Sequence, residues 1–311
     1  MIACTVISAN YVPAVRVLVA SFRRFHPAIP FYVVLAAEEH ICQAVAAEGI
    51  KVLRPDEMEI PTLPALLERY TCLQTIIALK PAILRYLLAR GHDSVIYLDA
   101  DILVTASLAP LLEQVASHSL CLTPHLHPAP RSARREKIER SLLLTGIYNA
   151  GFIGIANHEE SRRFVAWWEE RLRTHNRRDK KHGYHYDQRW LDLAPSFVRD
   201  THIVRDQGCN VGQWCLPDVT VTRDGSGYRV NDVPLRFFHF SGFDPLQPEK
   251  VSRHAGRLKV SESGFAPELF ADYAQLLRSA GWEQYINAPW PWDPPWPWHR
   301  WFTKSASQNR R

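Results

Sequence analysis

The sequence predicts an α/β fold: a mostly parallel sheet flanked by helices, followed by an irregular tail rich in Pro and Trp. Three observations predict it. Short apolar runs rich in β-branched residues alternate with helix-length segments through the first 125 residues. These runs are apolar on both faces, as strands are when helices cover both sides of a parallel sheet. The last of them closes on two aspartates, Asp99 and Asp101, and ligands of open parallel sheets bind beyond such carboxyl ends.

Each element follows from local pattern. Ile2–Ser8 is a β-branched apolar run, followed by Asn10-Tyr11 and a helical stretch over Val12–Phe25. Phe31–Ala36 is a second buried strand, 39–48 a helix and 50–53 a short strand. After a loop punctuated by Pro55, Pro61 and Pro64, residues 71–90 read as helix, interrupted or restarted at Pro81. Ser94–Leu98 is the strand that ends at the aspartates. The second half is less regular. Residues 124–141 carry Pro124, Pro128 and Pro130 with a basic cluster of Arg131, Arg134, Arg135 and Lys137, which predicts a mobile loop. Tyr148–Ala156 ("YNAGFIGIA") is a glycine-bearing strand, suited to close approach of a ligand or backbone. Residues 159–173 form an amphipathic helix with Trp167 and Trp168, "HYDQRWLDL" begins another helix, and "LRFFHFSGFDP" is a strand ending in a polar turn.

Composition narrows the function classes. With 46% hydrophobic and 22% charged residues in 311, the chain can build a core and is not globally disordered. A net charge of +5 suits an anionic substrate or a membrane surface and is too small to argue for nucleic acid. The six cysteines (4, 42, 72, 121, 209 and 215) contain no C-x-x-C pair, which argues against zinc ribbons and redox motifs and for thiols in a reducing compartment. The first strand begins without a basic n-region, and no run approaches the 18 apolar residues of a membrane span, so a cytoplasmic protein is expected.

The tail is the most biased segment. "APWPWDPPWPWHRWF" holds half of the ten Trp, interleaved with Pro, and Arg300, Lys304, Arg310 and Arg311 face the single acid Asp293. Trp and Arg together favour a membrane–water interface, so residues 290–311 are expected to make peripheral membrane contact. Packing of the Trp rings back on the domain is the alternative.

The Asp99-Ala100-Asp101 triplet is near chance by itself. Its two carboxylates project to the same side of an extended segment, and carboxylate oxygens suit the hard divalent cation that a diphosphate requires. A solvated turn after a strand is the plain alternative.

Taken in order, "ANY" after the first strand, the D-x-D, "YNAGFIGI" and "HFSGFDP" after "DQRW" resemble GT-A-fold glycosyltransferases. They are most similar to glycosyltransferase family 8, which includes bacterial lipopolysaccharide glycosyltransferases and glycogenin. The resemblance implies a Rossmann-like GT-A domain over 1–260, with a nucleotide-binding half (1–125) and a sugar and acceptor half (126–260). Residues 261–311 would be a C-terminal helix and the tail.

The resemblance also implies roles. Asn10 and Tyr11 stand where the family stacks a tyrosine on uracil; the acidic residue that often precedes them is replaced by Ser8 and Ala9. Lys80 in "LKPAILRYLL" matches a basic residue that contacts the donor, against the alternative of a lysine lying along the surface. Asp99 and Asp101 match the metal-binding aspartates, and His239 the histidine that completes the site with Mn²⁺ or Mg²⁺. A histidine among Phe237, Phe238 and Phe240 would otherwise read as core. Gly242 would admit backbone N–H groups close to phosphate. Asn149, Ala150 and Gly151 would line the sugar pocket. Asp187 would bind the donor sugar and Gln188 lie near the anomeric carbon, unless Asp187 only caps a helix. The family's lysine three residues after His-x-x-Gly is Pro245 here, which leaves Lys250 or Arg253 to supply that cation and marks a divergent branch.

The expected activity is a metal-dependent, retaining transfer of a hexose from a nucleotide-sugar, UDP-hexose, to a glycan or lipid-linked saccharide. An inverting variant would use Asp187 as base. A catalytically silent scaffold of the same fold is the first rival. A sugar-nucleotide nucleotidyltransferase is the second, and it lacks its glycine-rich phosphate loop after the first strand, where "SANYVPAVR" stands.

Overall fold

The structure, a computed structural model, describes residues 1–127, 129–131, 135–255, 260 and 266–292. In chain order the strands are β1 (Ile2–Ser8), β2 (Phe31–Ala36), β3 (Lys51–Leu53), β4 (Ser94–Leu98), β5 (Ile102–Val104), β6 (Leu120–Pro124) and β7 (Tyr148–Ala156). They continue with β8 (Arg178–Asp179), β9 (Tyr184–His185), β10 (Thr201–Ile203), β11 (Val211–Gly212), β12 (Val221–Asp224), β13 (Gly227–Val230), β14 (Val233–Pro234) and β15 (Phe237–His239).

The main sheet has seven strands in the order β10-β6-β7-β4-β1-β2-β3. Strands β4, β1, β2 and β3 are mutually parallel, as are β6 and β10, while β7 runs antiparallel to both β4 and β6. The expected α/β class with a mostly parallel, helix-flanked sheet is what forms. Alternation along β1 explains how both faces are filled. Ala3 and Ile7 join one core cluster with Phe22, Leu35 and Phe270, while Ile2, Cys4 and Val6 join another with Ile83, Leu87 and Trp168.

Two long-range pairings position the site. Chain leaving β4 passes the aspartates and turns away as β5, which pairs antiparallel with β15 so that Ile102 lies opposite His239. Strand β7 extends beyond the end of β4, where the Asp99 amide donates to the Gly151 carbonyl at 2.8 Å. Period-two alternation sorts the Phe-Phe-His-Phe run. Phe238 and Phe240 pack on Phe270 of the helix Pro267–Ser279, and Phe240 stacks on Tyr273 at 3.8 Å. Phe237 and His239 face the other way, Phe237 toward Phe152.

Two expectations need correction. Residues 124–141 are not a continuous loop: prolines interrupt only the first part, and the Glu-, Lys-, Arg- and Leu-rich remainder forms the helix Arg135–Thr145. Arg134 lies outside the described residues. The stretch 71–90 restarts as expected, with Cys72–Ala78 followed after Leu79 by Lys80–Ala89, which carries Pro81 in its first turn. Over its 18 residues Cys72–Ala89 has mean hydropathy 1.4, enough by length and composition to cross a membrane, contrary to the expectation that no run is so apolar. Here that apolarity serves packing: Ile83, Leu84 and Leu87 are fully buried. Cys4, Cys42, Cys121, Cys209 and Cys215 are thiols that form no disulfide. The tail beyond Trp292 lies outside the described residues.

Candidate active site

Asp99, Asp101 and His239 converge at the carboxyl end of β4. Their potential ligand atoms all lie within 4.8 Å of one another. His239 Nε2 is 3.0 Å from Asp101 Oδ1 and 3.8 Å from Asp99 Oδ2. Burial acts to raise the Asp101 carboxyl, yet the adjacent His239 imidazole holds it below its ordinary value. Burial acts against charge on His239 too, and Asp101 outweighs it, so the imidazole is raised.

The other face of the ring decides what Nε2 offers. Asn149 Oδ1 accepts the Gly151 amide at 2.9 Å, which fixes how that side-chain amide is turned. His239 Nδ1 lies 3.2 Å from the same oxygen and 3.3 Å from Asn210 Oδ1. Asn210 is turned in its own right, because its Nδ2 donates to Thr123 Oγ1 at 2.8 Å. Facing two acceptors, Nδ1 must carry a proton, so it is Nε2 that faces the carboxylates, donating to Asp101 while the ring is charged and open to a cation that displaces that proton. Two carboxylates and one imidazole nitrogen, with the histidine oriented from behind, fit Mn²⁺ or Mg²⁺.

His125 extends this network. Its Nδ1 donates to the Ile147 carbonyl at 2.9 Å, and its Nε2 accepts from Asn149 Nδ2 at 3.1 Å. Burial lowers it to about 4, so it is neutral throughout the physiological range. Trp214 stands edge-on to both His125 and His239, with centroids 5.1 and 5.2 Å away.

Two substitutions test the arrangement. A Cβ on Gly151 would lie 2.3 Å from His239 Cε1 and 2.7 Å from Asn149 Oδ1. Gly151→Ala is therefore expected to displace the ring and weaken Mn²⁺ binding by about 10–100-fold, as loss of orienting contacts does, measured by isothermal titration. Asn210 has φ +56°, in the left-handed region. Asn210→Gly keeps that backbone conformation at no steric cost and removes only the amide, so a loss of about 10–100-fold in Mn²⁺ affinity is expected here too. Unchanged affinity would remove Asn210 from the site.

Behind the metal cluster lies a buried ion-pair network. Lys80 Nζ is 2.9 Å from Asp99 Oδ1 and 3.0 Å from Asp187 Oδ2, and only 6% of the lysine and 6% of the Asp187 side chain are exposed. It also donates to the Ala150 carbonyl at 3.3 Å and lies 5.0 Å over the Tyr97 ring. The Tyr97 hydroxyl donates to Asp99 Oδ1 at 2.9 Å. Burial opposes the lysine's charge, and Asp187 and Asp99 overcome it, so Lys80 stays protonated. Burial raises Asp187, with Lys80 opposing. The alternative of a lysine lying along the surface is not what forms. Asp187 stands at the N-cap position of the short helix Gln188–Leu193, but its side chain caps nothing; the carboxylate is turned to Lys80 instead.

The remaining expected residues fall on the same end of the sheet, with one exception. Gln188 Nε2 donates to the Thr145 carbonyl at 2.9 Å, and Oε1 is 3.4 Å from both Asn149 Nδ2 and the Ala150 amide. Asn10 and Tyr11 occupy the turn Ala9–Tyr11 after β1, where Asn10 Oδ1 accepts from Ser8 Oγ at 2.6 Å. Burial and then the Asp101 charge push the Tyr11 hydroxyl up to about 12, while the Arg253 charge pulls the other way. Lys250 is exposed and bonded to Gln247. Gly242 has φ +73°, and a Cβ there would meet His254 Cδ2 at 2.6 Å. The turn thus seats His254 against the loop after His239, and the Arg253 amide donates to the Gly242 carbonyl at 3.0 Å.

Asn210, Thr123, His125, Tyr97 and Trp214 were not expected from sequence. The one local signal was "CNVGQW", where Asn, tolerant of the left-handed region, precedes a glycine.

No protein-family profile matches the chain. The uncharacterised protein YfnD of Bacillus subtilis (strain 168) is 23% identical over 294 residues, spanning 92% of this chain and 91% of its own. Among solved structures, the galactosyltransferase LgtC in complex with donor and acceptor sugar analogs aligns with a TM-score of 0.55 at 18% identity, over 88% of this chain and 95% of that one. The bifunctional glycosyltransferase WbbM in its apo form aligns with a TM-score of 0.51 at 12% identity, over 92% of this chain and about half (51%) of that one. Likeness at these identities is likeness of fold. The chain therefore has the GT-A glycosyltransferase fold, with its acidic pair and histidine gathered at the end of the fourth strand.

Proposed function

We propose that the protein is a metal-dependent glycosyltransferase that moves a hexose from a UDP-hexose to a glycan or lipid-linked saccharide, with retention at the anomeric carbon. The observation that carries this reading is the convergence of Asp99, Asp101 and His239 beside a buried Lys80–Asp187 pair. A bound divalent cation supplies positive charge at the point where a diphosphate leaving group becomes more negative. The chain's own residues do the rest. Lys80 holds a second, fixed positive charge. Tyr11 and Asn10 offer a ring and an amide to the nucleobase, and Arg253 a cation in place of the family's lysine. Asn149, Gly151 and Gln188 border the place of the sugar.

Retention is supported by the state of Asp187. An inverting base has to reach an acceptor hydroxyl, and this carboxylate is buried and held 3.0 Å from Lys80. Gln188, neutral and held on both ends of its amide, takes no proton. A cytoplasmic location with peripheral membrane contact through residues 290–311 completes the proposal.

The test is a thermal-shift panel of UDP-, GDP-, ADP- and dTDP-sugars with and without Mn²⁺, followed by donor hydrolysis on each hit. Stabilisation by a UDP-hexose only with Mn²⁺, and hydrolysis of that donor, is the expected result. Binding of UDP indifferent to Mn²⁺, with no hydrolysis of any donor, would instead identify a silent scaffold.

A further inference from the structure

The segment Arg-Arg-Asp-Lys-Lys-His at 177–182 sets four Lys and Arg against one carboxylate. It forms β8 and the start of a hairpin with β9, in which Arg178 pairs with His185 and Asp179 with Tyr184. Directly opposed residues of an antiparallel pair project to one side, so the hairpin has two unlike faces. One is anchored: the Arg177 guanidinium lies 3.7 Å over the Tyr184 ring, which stacks on His175 at 5.7 Å and packs on Trp190 at 6.0 Å. The other carries Arg178 and His185, two residues before Asp187 on the floor of the cleft.

His185 feels Lys180, Arg178, His125 and His254, and its buried Nδ1 has no hydrogen-bond partner. His254, seated against Gly242, is lowered by burial and then by Arg253, Arg178 and Lys180. By geometry Arg178 stands opposite His185, two residues before Asp187, and Lys180 opens the turn of the same hairpin. Among the described residues no carboxylate pairs with them. Asp179 is engaged by His182 at 2.8 Å and Arg177 at 3.7 Å, and among the described residues neither Arg178 nor Lys180 forms an ion pair. Lys180 is lowered by burial and by Arg178, with no carboxylate acting on it. Two cations two residues apart, with the intervening Asp179 engaged elsewhere, make a field that concentrates anions and offer charge-assisted hydrogen bonds to a phosphate or carboxylate.

We propose that Arg178 and Lys180 recognise the anionic group of a negatively charged acceptor, a saccharide bearing a phosphate or a carboxylate. The word acceptor rests on the transferase reading, in which Lys80, Arg253 and the cation already meet the charge of the donor diphosphate. Anion recognition itself does not.

Isothermal titration of the full chain with glucose, glucose 6-phosphate and glucuronate, with and without UDP and Mn²⁺, tests it. Both anionic sugars are expected to bind at least about tenfold more tightly than glucose, with about tenfold lost for each cation removed in Arg178→Ala and Lys180→Ala. Arg178→Lys should retain much of the preference, and the double Ala variant should keep its affinity for UDP with Mn²⁺. The proposal is overturned by equal binding of all three sugars, by a preference that survives the double variant, or by a parallel fall in UDP affinity. Binding only to phosphatidylglycerol vesicles, with none to glucose 6-phosphate, overturns it too, because the anion would then be a lipid headgroup. An anion preference that depends on Arg178 and Lys180 in a protein that binds no nucleotide supports the site and defeats the transferase reading alone.

Discussion

Asp101→Asn is expected to abolish Mn²⁺-dependent binding of UDP and to lower donor turnover on the order of 10²–10³-fold, the scale of losing one preorganised electrostatic group at a reacting centre. The substitution keeps the shape of the side chain and removes its charge. Asp101 Oδ1 lies 3.0 Å from His239 Nε2, so the two can share one ion. An amide there leaves the cation one anionic ligand, Asp99, which already shares an oxygen with Lys80 and the Tyr97 hydroxyl. Thermal shift with UDP and Mn²⁺ reads the binding, and hydrolysis of the UDP-hexose reads the turnover. A variant as active as the parent sinks the metal assignment.

Lys80→Met is expected to be the most damaging single change in the molecule, in stability as well as in activity. Removing one partner of a buried ion pair leaves the other charge uncompensated, at a cost of about 3–5 kcal/mol. Lys80 serves two carboxylates, and with Asp187 nearly as buried as itself the stranded charge has little water to turn to. Urea melts give the first quantity. The double variant Lys80→Met, Asp187→Leu separates fold from function: apolar replacement of a whole buried pair is often neutral or stabilising, so stability should recover while transfer does not. A loss below about 1 kcal/mol in Lys80→Met, the ordinary range for a surface change, would show that the pair is better solvated than its burial indicates.

The parts of the fold that were legible share one property: their signals are local. β1, β2, β4 and β7 stand on the expected residues because a strand buried on both faces must be apolar along its whole length. The helix Arg135–Thr145 was missed because three preceding prolines and a dense charge cluster mask a segment with little amphipathic stripe. The direction of β7 was not legible either, since an apolar strand between two helices reads the same whichever way it runs.

The candidate site divides in the same manner. Sequence by itself determined the α/β class, the order of the motifs and the placing of Asp99 and Asp101 at a strand end, because period and composition act over a few neighbouring residues. It also supplied His239, though only through motif order. Tertiary structure alone decided that His239 meets the aspartates, by pairing β5 with β15 across more than a hundred residues. It decided between a surface lysine and a buried Lys80. It brought in Asn210, Thr123 and His125, which fix the tautomer of the histidine. The physical reason is that hydrogen bonds, ion pairs and desolvation depend on separations of a few ångströms, and folding sets those separations between residues that the chain keeps far apart.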